Sequence, residues 1–526
     1  MKYLIIGRVC LMPQPSSSFI QGTFVLSVAA FINRILGFVS GMYVARLLGA
    51  EGIGLLMIAH PLVPLVITLT ELGLPVAISK LVAEADARGE HAKVRRILRV
   101  SLAVTGFLSL TLTTISLLGS EWIASILLSD QRAYYAMLAI TPIAPVVAVS
   151  AVLKGYFRGK QRMQTIAVSD VLEYTVQIAC VLALVHLLMP YGIAYAAAGA
   201  MAASVISEAF SLLFLLASYR LRRDAPSPGE TWSSHLKQGR PTLSELLRIG
   251  LPTTGHGVVQ SLYGAFQPLL ITTSLALAGI GTAMATQQFG MLAGFAFPLL
   301  FMPSFITHSL STALIPAISE AAANKNKLLM HERMEQAMRL GLLIGAPATV
   351  ILFVWATPLT TLIYHAPEAG PLLRILAPMF FLHYFDAPLH AILLGLGRAN
   401  ASLWNFVIAT AFKTAAIFVL GSKLGIEGVA YGLGIGIVVQ TILNFFSISG
   451  AIGFYWNIRP YFRVGLCMIV MALCGQAGMR YLGNLGLPML WCVIGSIALS
   501  LLVYLVALFF SDPPERNRKA QFSWGG

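Results

Sequence analysis

The sequence predicts an all-α polytopic membrane protein of about 14 transmembrane helices, set out as two six-helix lobes in parallel repeat plus a C-terminal helix pair. Three observations predict it. Hydrophobic residues make up 57% of the 526 and charged residues only 11%. Apolar runs of bilayer-crossing length, about 20 residues, recur from end to end. The cations between those runs fall almost entirely on one side. Backbone groups in lipid must satisfy their own hydrogen bonds, so helices are the form expected at these lengths.

Composition excludes other classes. The formal charge of +14 invites a nucleic-acid reading, but the basic residues punctuate apolar runs and sit in short loops, so no nucleic-acid partner is expected. The five cysteines (Cys10, Cys180, Cys467, Cys474, Cys492) are scattered, with neither pairing nor CxxC spacing. No metal and no cofactor is expected. The first 18 residues hold Lys2 and Arg8 around a short apolar patch and a polar break from Pro13 to Ser18. A secretory leader needs a longer apolar core, so this stretch reads as a cytoplasmic tail starting at Met1 or Met12.

In chain order, spans are expected at about 20–45, 53–79, 100–119, 134–153, 166–188, 192–217, 246–274, 286–313, 339–357, 371–396, 402–420, 425–451, 460–481 and 485–510. They group into a tail (1–18), an N-lobe (19–217), a cytoplasmic linker (218–245), a C-lobe (246–455), a final helix pair (456–510) and a second tail (511–526). The linker is the longest polar segment and contains Pro226, Pro228, Gly229, Gly239 and Pro241. With both termini on one side, that side collects 28 of the 35 cations, including Lys154 to Arg162 before the fifth span. The other side has Arg46, Arg132, Lys423 and Arg480, while Arg34, Arg374 and Lys413 fall within spans. The asymmetry places both termini in the cytoplasm and the chain in the cell membrane.

The halves look alike. Pro75-Val76-Ala77-Ile78-Ser79 near the end of the second span is matched by Pro316-Ala317-Ile318-Ser319 near the end of the eighth. Gly159-Lys160-Gln161 matches Gly397-Arg398-Ala399, and Gly192-Ile193 matches Gly425-Ile426. Similar offsets in one orientation indicate two bundles related by an axis along the membrane normal, an architecture suited to alternating access. Pro61, Pro64, Gly73 and Pro75 in the second span, and Pro298 and Pro303 in the eighth, should bend helices. Such bends serve rocking, although Gly and Pro are also common in membrane helices generally.

Several runs then carry a family resemblance: Asn33-Arg34-Ile35-Leu36-Gly37-Phe38, Ala45-Arg46-Leu47-Leu48-Gly49-Ala50-Glu51-Gly52, Gly73-Leu74-Pro75-Val76-Ala77-Ile78-Ser79-Lys80, and Leu153-Lys154-Gly155-Tyr156-Phe157-Arg158-Gly159. The chain from about Phe19 to Phe510 resembles the stage V sporulation protein B group of the multidrug/oligosaccharidyl-lipid/polysaccharide exporter superfamily. The resemblance implies fourteen helices in two lobes. It also implies flipping of an undecaprenyl-pyrophosphate-linked saccharide such as lipid II, for spore cortex peptidoglycan. The bacterial lipid II flippases of that superfamily carry an Arg-x-Leu-Gly-Phe-Val motif, which Arg34 to Val39 matches, with the arginine in the central cavity. Their motif continues with a second arginine where this chain has Ser40, and their second-helix arginine has no match in Val66 to Glu71.

Arg34 lies about 22 Å of helix beyond Phe19. A charge at such depth costs about 2.5–3.5 kcal/mol, so it should face protein or water, either as a structural ion pair or as a contact for an anionic headgroup. Arg34, Lys413 and Asn33 are the candidate substrate-binding residues. Asp170, Glu173 and Gln177 share one helical stripe, as do His383, Asp386 and His390. Asp170, Glu173 and Asp386 are candidates for coupling H⁺ or Na⁺, or for pairing with the cations. His383, Asp386 and His390 come from one helix, too few ligands to close a zinc site.

No catalytic constellation stands out. The longest outer loop, Ser120 to Ala133, carries only Glu121 and Asp130, so the chain is not expected to be an enzyme. The expected function is a flippase of a lipid-linked peptidoglycan precursor in the bilayer, with cell-wall synthesis enzymes as protein partners. The alternatives are export of another lipid-linked polysaccharide or of drugs, and a non-transporting scaffold for cell-wall enzymes.

Overall fold

The computed structural model describes residues 17–221, 232–453 and 459–511. Cys10, the choice between Met1 and Met12, Pro226, Pro228, Gly229 and the C-terminal tail beyond 511 lie outside the described residues. Every extended element described is helical, and eleven helical stretches are long and apolar enough to cross a membrane. The protein is a multi-pass, all-helical membrane protein. Two of the eleven stretches, Phe31–Ala87 and Ala399–Ile452, run to 57 and 54 residues, more than twice the length one crossing needs.

The described residues divide into two compact units, one within residues 1–48 and 58–266 and the other within residues 49–57 and 267–526. The first unit contains most of α1 (Ser17–Ala59), then α2 (Leu62–Glu71), α3 (Leu74–Ala87), α4 (His91–Leu118), α5 (Ser120–Leu127), α6 (Tyr134–Ile140), α7 (Ile143–Gly159), α8 (Met163–Leu188), α9 (Ile193–Leu221) and most of α10 (Trp232–Leu277). The second holds the rest of α10, α11 (Thr282–Gly290), α12 (Phe297–Phe301), α13 (Ser304–Ala323), α14 (Lys327–Val354), α15 (Ala356–Tyr364), α16 (Gly370–Gly395), α17 (Ala399–Ile452), α18 (Arg459–Asn484) and α19 (Met489–Ser511).

Proline and glycine decide where the expected spans break. Within the second span, α2 starts after Pro61, and Leu72 and Gly73 are both left-handed (φ 46° and 67°) before α3 resumes with Pro75 in its first turn. The eighth span passes through a π-helical stretch, Met291–Ala296, and restarts after Pro303. Gly49 (φ 63°, ψ −174°) interrupts α1, and Gly425 (φ 62°, ψ −142°) interrupts α17. Those two breaks fall where the sequence separates the first from the second span and the eleventh from the twelfth. Part of the expected linker is helix, since α10 begins at Trp232 and continues to Leu277.

The internal repeat has a sharper register than residue matching gave. In the first unit, α3 ends at Ala87, Gly89 is left-handed, and α4 starts at His91. In the second, α13 ends at Ala323, Lys325 is left-handed, and α14 starts at Lys327. The α7–α8 turn (Gly159, Gln161, Met163) and the α16–α17 turn (Gly395, Gly397, Ala399) show the same pattern. Each landmark lies 236 residues beyond its counterpart (87 to 323, 89 to 325, 161 to 397). The pairing of Gly159 with Gly397, and of Pro75–Ser79 with Pro316–Ser319, is therefore slipped by two to five residues. Glycine fills the left-handed position in only one copy of each turn; Gln161 and Lys325 take it in the other, against the usual preference.

Close helix contacts at glycine build the first core. A Cβ on Gly155 would sit 2.9 Å from the Pro75 carbonyl oxygen, and one on Gly159 would sit 2.7 Å from Val82 Cβ. With α7 that near α3, Leu74, Ile78, Leu81, Leu98, Leu153 and Phe157 are buried together. In the second unit Ile318, Phe385, Leu389, Ile392 and Met471 share a core to which α18 contributes. Trp355 Nε1 donates to Ser496 Oγ at 2.9 Å, pinning the α14–α15 junction to α19.

Candidate polar seams in the two units

Helical periodicity places the first-unit polar residues together. On α8, Asp170, Glu173 and Gln177 line one stripe, and on α9 Ser204, Glu208 and Ser211 face it. Gln177 Nε2 donates to Ser204 Oγ at 3.1 Å, and the Ser169 and Ser211 hydroxyls meet at 2.7 Å. Lys154 of α7 reaches into this seam. Its Nζ lies 2.9 Å from Asp170 Oδ1 and 3.5 Å from Glu173 Oε2. Glu173 and Glu208 interact electrostatically, as does Glu71 from α2 with Lys154.

Lys154 therefore lies within a helix and not among the loop cations, where its sequence position puts it. It lies inside α7, five residues before the helix ends at Gly159, with a side chain only 23% exposed. Ending the fourth span at the first charge hid it. The signal was present in Gly155-Tyr156-Phe157, small and apolar residues that carry the helix onward.

Arg34 is exposed on α1, and Asn33 beside it is 9% exposed. Asn33 Oδ1 is buried and accepts no hydrogen bond among the described residues. The ring of Tyr174 rests on α1, where a Cβ on Gly37 would stand 3.3 Å from its Cε1. Tyr174 interacts electrostatically with Arg34, Lys154, Asp170 and Glu173 together. The candidates Arg34, Asp170 and Glu173 thus share one neighbourhood, with Lys154 and Glu208 added by the structure.

The second unit has a different chemistry on the same frame. Asp386 of α16 accepts from Gln440 Nε2 at 3.1 and 3.2 Å and from Asn444 Nδ2 at 3.1 Å. Asn405 Nδ2 donates to Asn444 Oδ1 at 3.0 Å and to Ser447 Oγ at 2.9 Å. Lys413 interacts electrostatically with Asp386, and its stem lies over Gly436, where a Cβ would come within 2.6 Å of it. The remaining stripe residues turn to other partners. His383 packs against the rings of Phe301 and Phe380, which also touch each other, and His390 Nδ1 meets Ser402 Oγ at 2.6 Å. In the 236-residue register Ser169–Ser211 corresponds to Asn405–Ser447, Gln177–Ser204 to Lys413–Gln440, and Lys154 to His390. One seam sets four carboxylates against the Lys154 ammonium; the other sets one carboxylate among amides with Lys413. Arg34 and Lys413 belong to different units.

Comparison with known proteins gives the chain a family. Residues 19–322 match the family described as polysaccharide biosynthesis protein, and residues 292–419 match the MatE family. The chain is 42% identical over 495 residues to stage V sporulation protein B of Bacillus subtilis (strain 168), covering 93% of this chain and 95% of that protein. It is 24% identical over 483 residues to the lipid II flippase MurJ of the same organism, covering 88% of each. Among solved structures, lipid II flippase MurJ in an inward closed conformation shares the fold, with a TM-score of 0.70 and 16% identity over 93% of this chain and 99% of that one. Of these relatives, MurJ is a lipid II flippase, a transporter and not an enzyme. The chain belongs to the polysaccharide biosynthesis protein family, as a member of the stage V sporulation protein B group of the multidrug/oligosaccharidyl-lipid/polysaccharide exporter superfamily.

Proposed function

We propose that this protein flips an undecaprenyl-pyrophosphate-linked saccharide, a lipid II-like peptidoglycan precursor, across the cytoplasmic membrane by alternating access, in the service of spore cortex synthesis. The observation that carries the reading is Arg34, a cation deep in the first span beside a buried, unsatisfied Asn33 acceptor. A guanidinium suits phosphate oxygens, and an amide oxygen suits a saccharide hydroxyl. In this reading Arg34, Asn33 and Lys413 bind the headgroup. Asp170, Glu173 and Asp386 carry the coupling cation or hold the lysines between cycles. Both termini are cytoplasmic, and the spans divide into an N-lobe, a C-lobe and a final pair. The similarity to stage V sporulation protein B supports a role in sporulation.

The test is binding of undecaprenyl pyrophosphate to the purified chain. Arg34→Ala removes a charge-assisted contact of about 1.5–3 kcal/mol, so affinity should fall by roughly 10- to 150-fold. Arg34→Lys should recover only part of it, because bidentate geometry is lost. Wild-type affinity in a well-folded Arg34→Ala protein would remove Arg34 from the site. A second reading, export of an organic cation, is favoured by the acid-rich first seam. It requires a cationic cargo to compete with Lys154 for Asp170 and Glu173.

A further inference from the structure

A pyrophosphate diester carries two negative charges, and one guanidinium balances one of them. The first unit contains a second cation in the same neighbourhood. Tyr174 packs on Gly37, one helical turn from Arg34, and interacts electrostatically with both Arg34 and Lys154. Lys154 comes from a different helix and is only partly covered, as are its partners Asp170 (31% exposed) and Glu173 (23% exposed). The seam therefore remains open to an incoming group.

The charges facing Lys154 are Glu71 from α2, Asp170 and Glu173 from α8, and Glu208 from α9, with Tyr174 and Arg34 beyond them. Four carboxylates around one ammonium are more than a structural ion pair needs. Intramembrane pairs of this sort require close matching of charge to be tolerated. The unequal bonds, 2.9 Å to Asp170 and 3.5 Å to Glu173, leave the ammonium with donor capacity to spare.

We propose that Lys154 is the second headgroup-binding cation, clamped by Asp170 and Glu173 in the conformation seen here and exchanged onto a pyrophosphate oxygen when the lipid binds. The inference rests on the flippase reading above. It gives the carboxylates a defined job: they compete with the substrate for Lys154, and by reclaiming it they favour release. In its new pairing Lys154 donates through Nζ to a phosphate oxygen, and Asp170 and Glu173 take up cations from the aqueous side.

The experiment measures affinity of the full-length protein in detergent for undecaprenyl pyrophosphate, with undecaprenol as the uncharged control. Lys154→Gln should weaken pyrophosphate binding by about tenfold, the value of one charge-assisted hydrogen bond, and leave undecaprenol binding unchanged. Lys154→Arg should bind close to wild type. The double variant Asp170→Asn with Glu173→Gln should bind severalfold more tightly, since the competitors are gone. The deciding protein adds Lys154→Gln to that double variant. A substrate-binding Lys154 predicts that this triple variant loses the gained affinity; a lysine serving only to neutralise the carboxylates predicts no further change, and that result overturns the proposal. If Arg34→Ala weakens binding while Lys154→Gln does not, Lys154 alone is excluded. If the wild type fails to bind undecaprenyl pyrophosphate, the flippase reading itself falls.

Discussion

Gly54→Ala and Gly290→Ala are the most direct structural perturbations. Gly54 belongs to the short run 49–57 that packs within the second unit, and Gly290 closes α11. A Cβ on Gly54 would overlap the Thr286 carbonyl oxygen and lie 2.8 Å from its carbonyl carbon. A Cβ on Gly290 would overlap the Ala50 carbonyl oxygen and lie 2.7 Å from Gly54 N. Ordinary contact begins at 3.4 Å, so the helices must part by at least roughly 0.6 Å. The obstructing atoms are backbone, which cannot rotate away as a side chain can. Overpacking costs about 1–3 kcal/mol, and these sites belong at the upper end, a shift of ten- to a hundredfold in the folded ratio. Small residues are how membrane helices approach this closely, and no rearrangement of the neighbours restores the contact. Gly106→Ala in α4 is the control: nothing lies within 4 Å of its Cβ, so removal of a mid-helix glycine should stabilise by about 0.5–1 kcal/mol. The assay is the fraction of monodisperse protein left in detergent after graded heating. Gly54→Ala and Gly290→Ala melting at or above wild type, with Gly106→Ala no different, would refute the packing account.

Asp386→Leu strands the Gln440 and Asn444 amides that now donate to it, and should destabilise by about 1–3 kcal/mol, whereas Asp386→Asn keeps one acceptor and loses less; the same heating series ranks them. Gly425→Ala forces a left-handed conformation on a Cβ-bearing residue at the break in α17, costing about 1–3 kcal/mol, and limited proteolysis should then cut near that break. In a cysteine-free background, Arg333→Cys should react with an impermeant thiol reagent only from the cytoplasm and Glu368→Cys only from outside. The reverse pattern contradicts the cytoplasmic assignment of the termini, and labelling of both from one side contradicts the crossing between them.

Much of the fold could be read from the chain because lipid simplifies the code. Long apolar runs had to be helices, and Pro61, Gly73, Pro303 and Gly425 marked their breaks for reasons local to the backbone. The repeat was visible but its register was not. Left-handed turns hold glycine in one copy and Gln161 or Lys325 in the other, so matching glycines misaligned what backbone conformation aligns. The α8 stripe of Asp170, Glu173 and Gln177 follows from helical spacing alone. Its cation could not be foreseen the same way, since Lys154 reaches α8 from another helix and a charge near a span end reads as a loop. The amides on Asp386 were equally hidden, because Gln440 and Asn444 lie 54 and 58 residues away and only packing joins them.

The central claim is movement of a pyrophosphate-linked saccharide lipid, and proteoliposomes test it most directly. The purified protein is reconstituted with fluorescent lipid II, and translocation is followed by loss of protection from a membrane-impermeant quencher. A parallel arm carries a teichoic-acid precursor, and another carries an organic cation dye. The account predicts lipid II translocation by the wild type, strongly reduced in Arg34→Ala, with no dye accumulation. Equal lipid II movement in protein-free and wild-type vesicles, or dye transport that Arg34→Ala leaves intact, would contradict it.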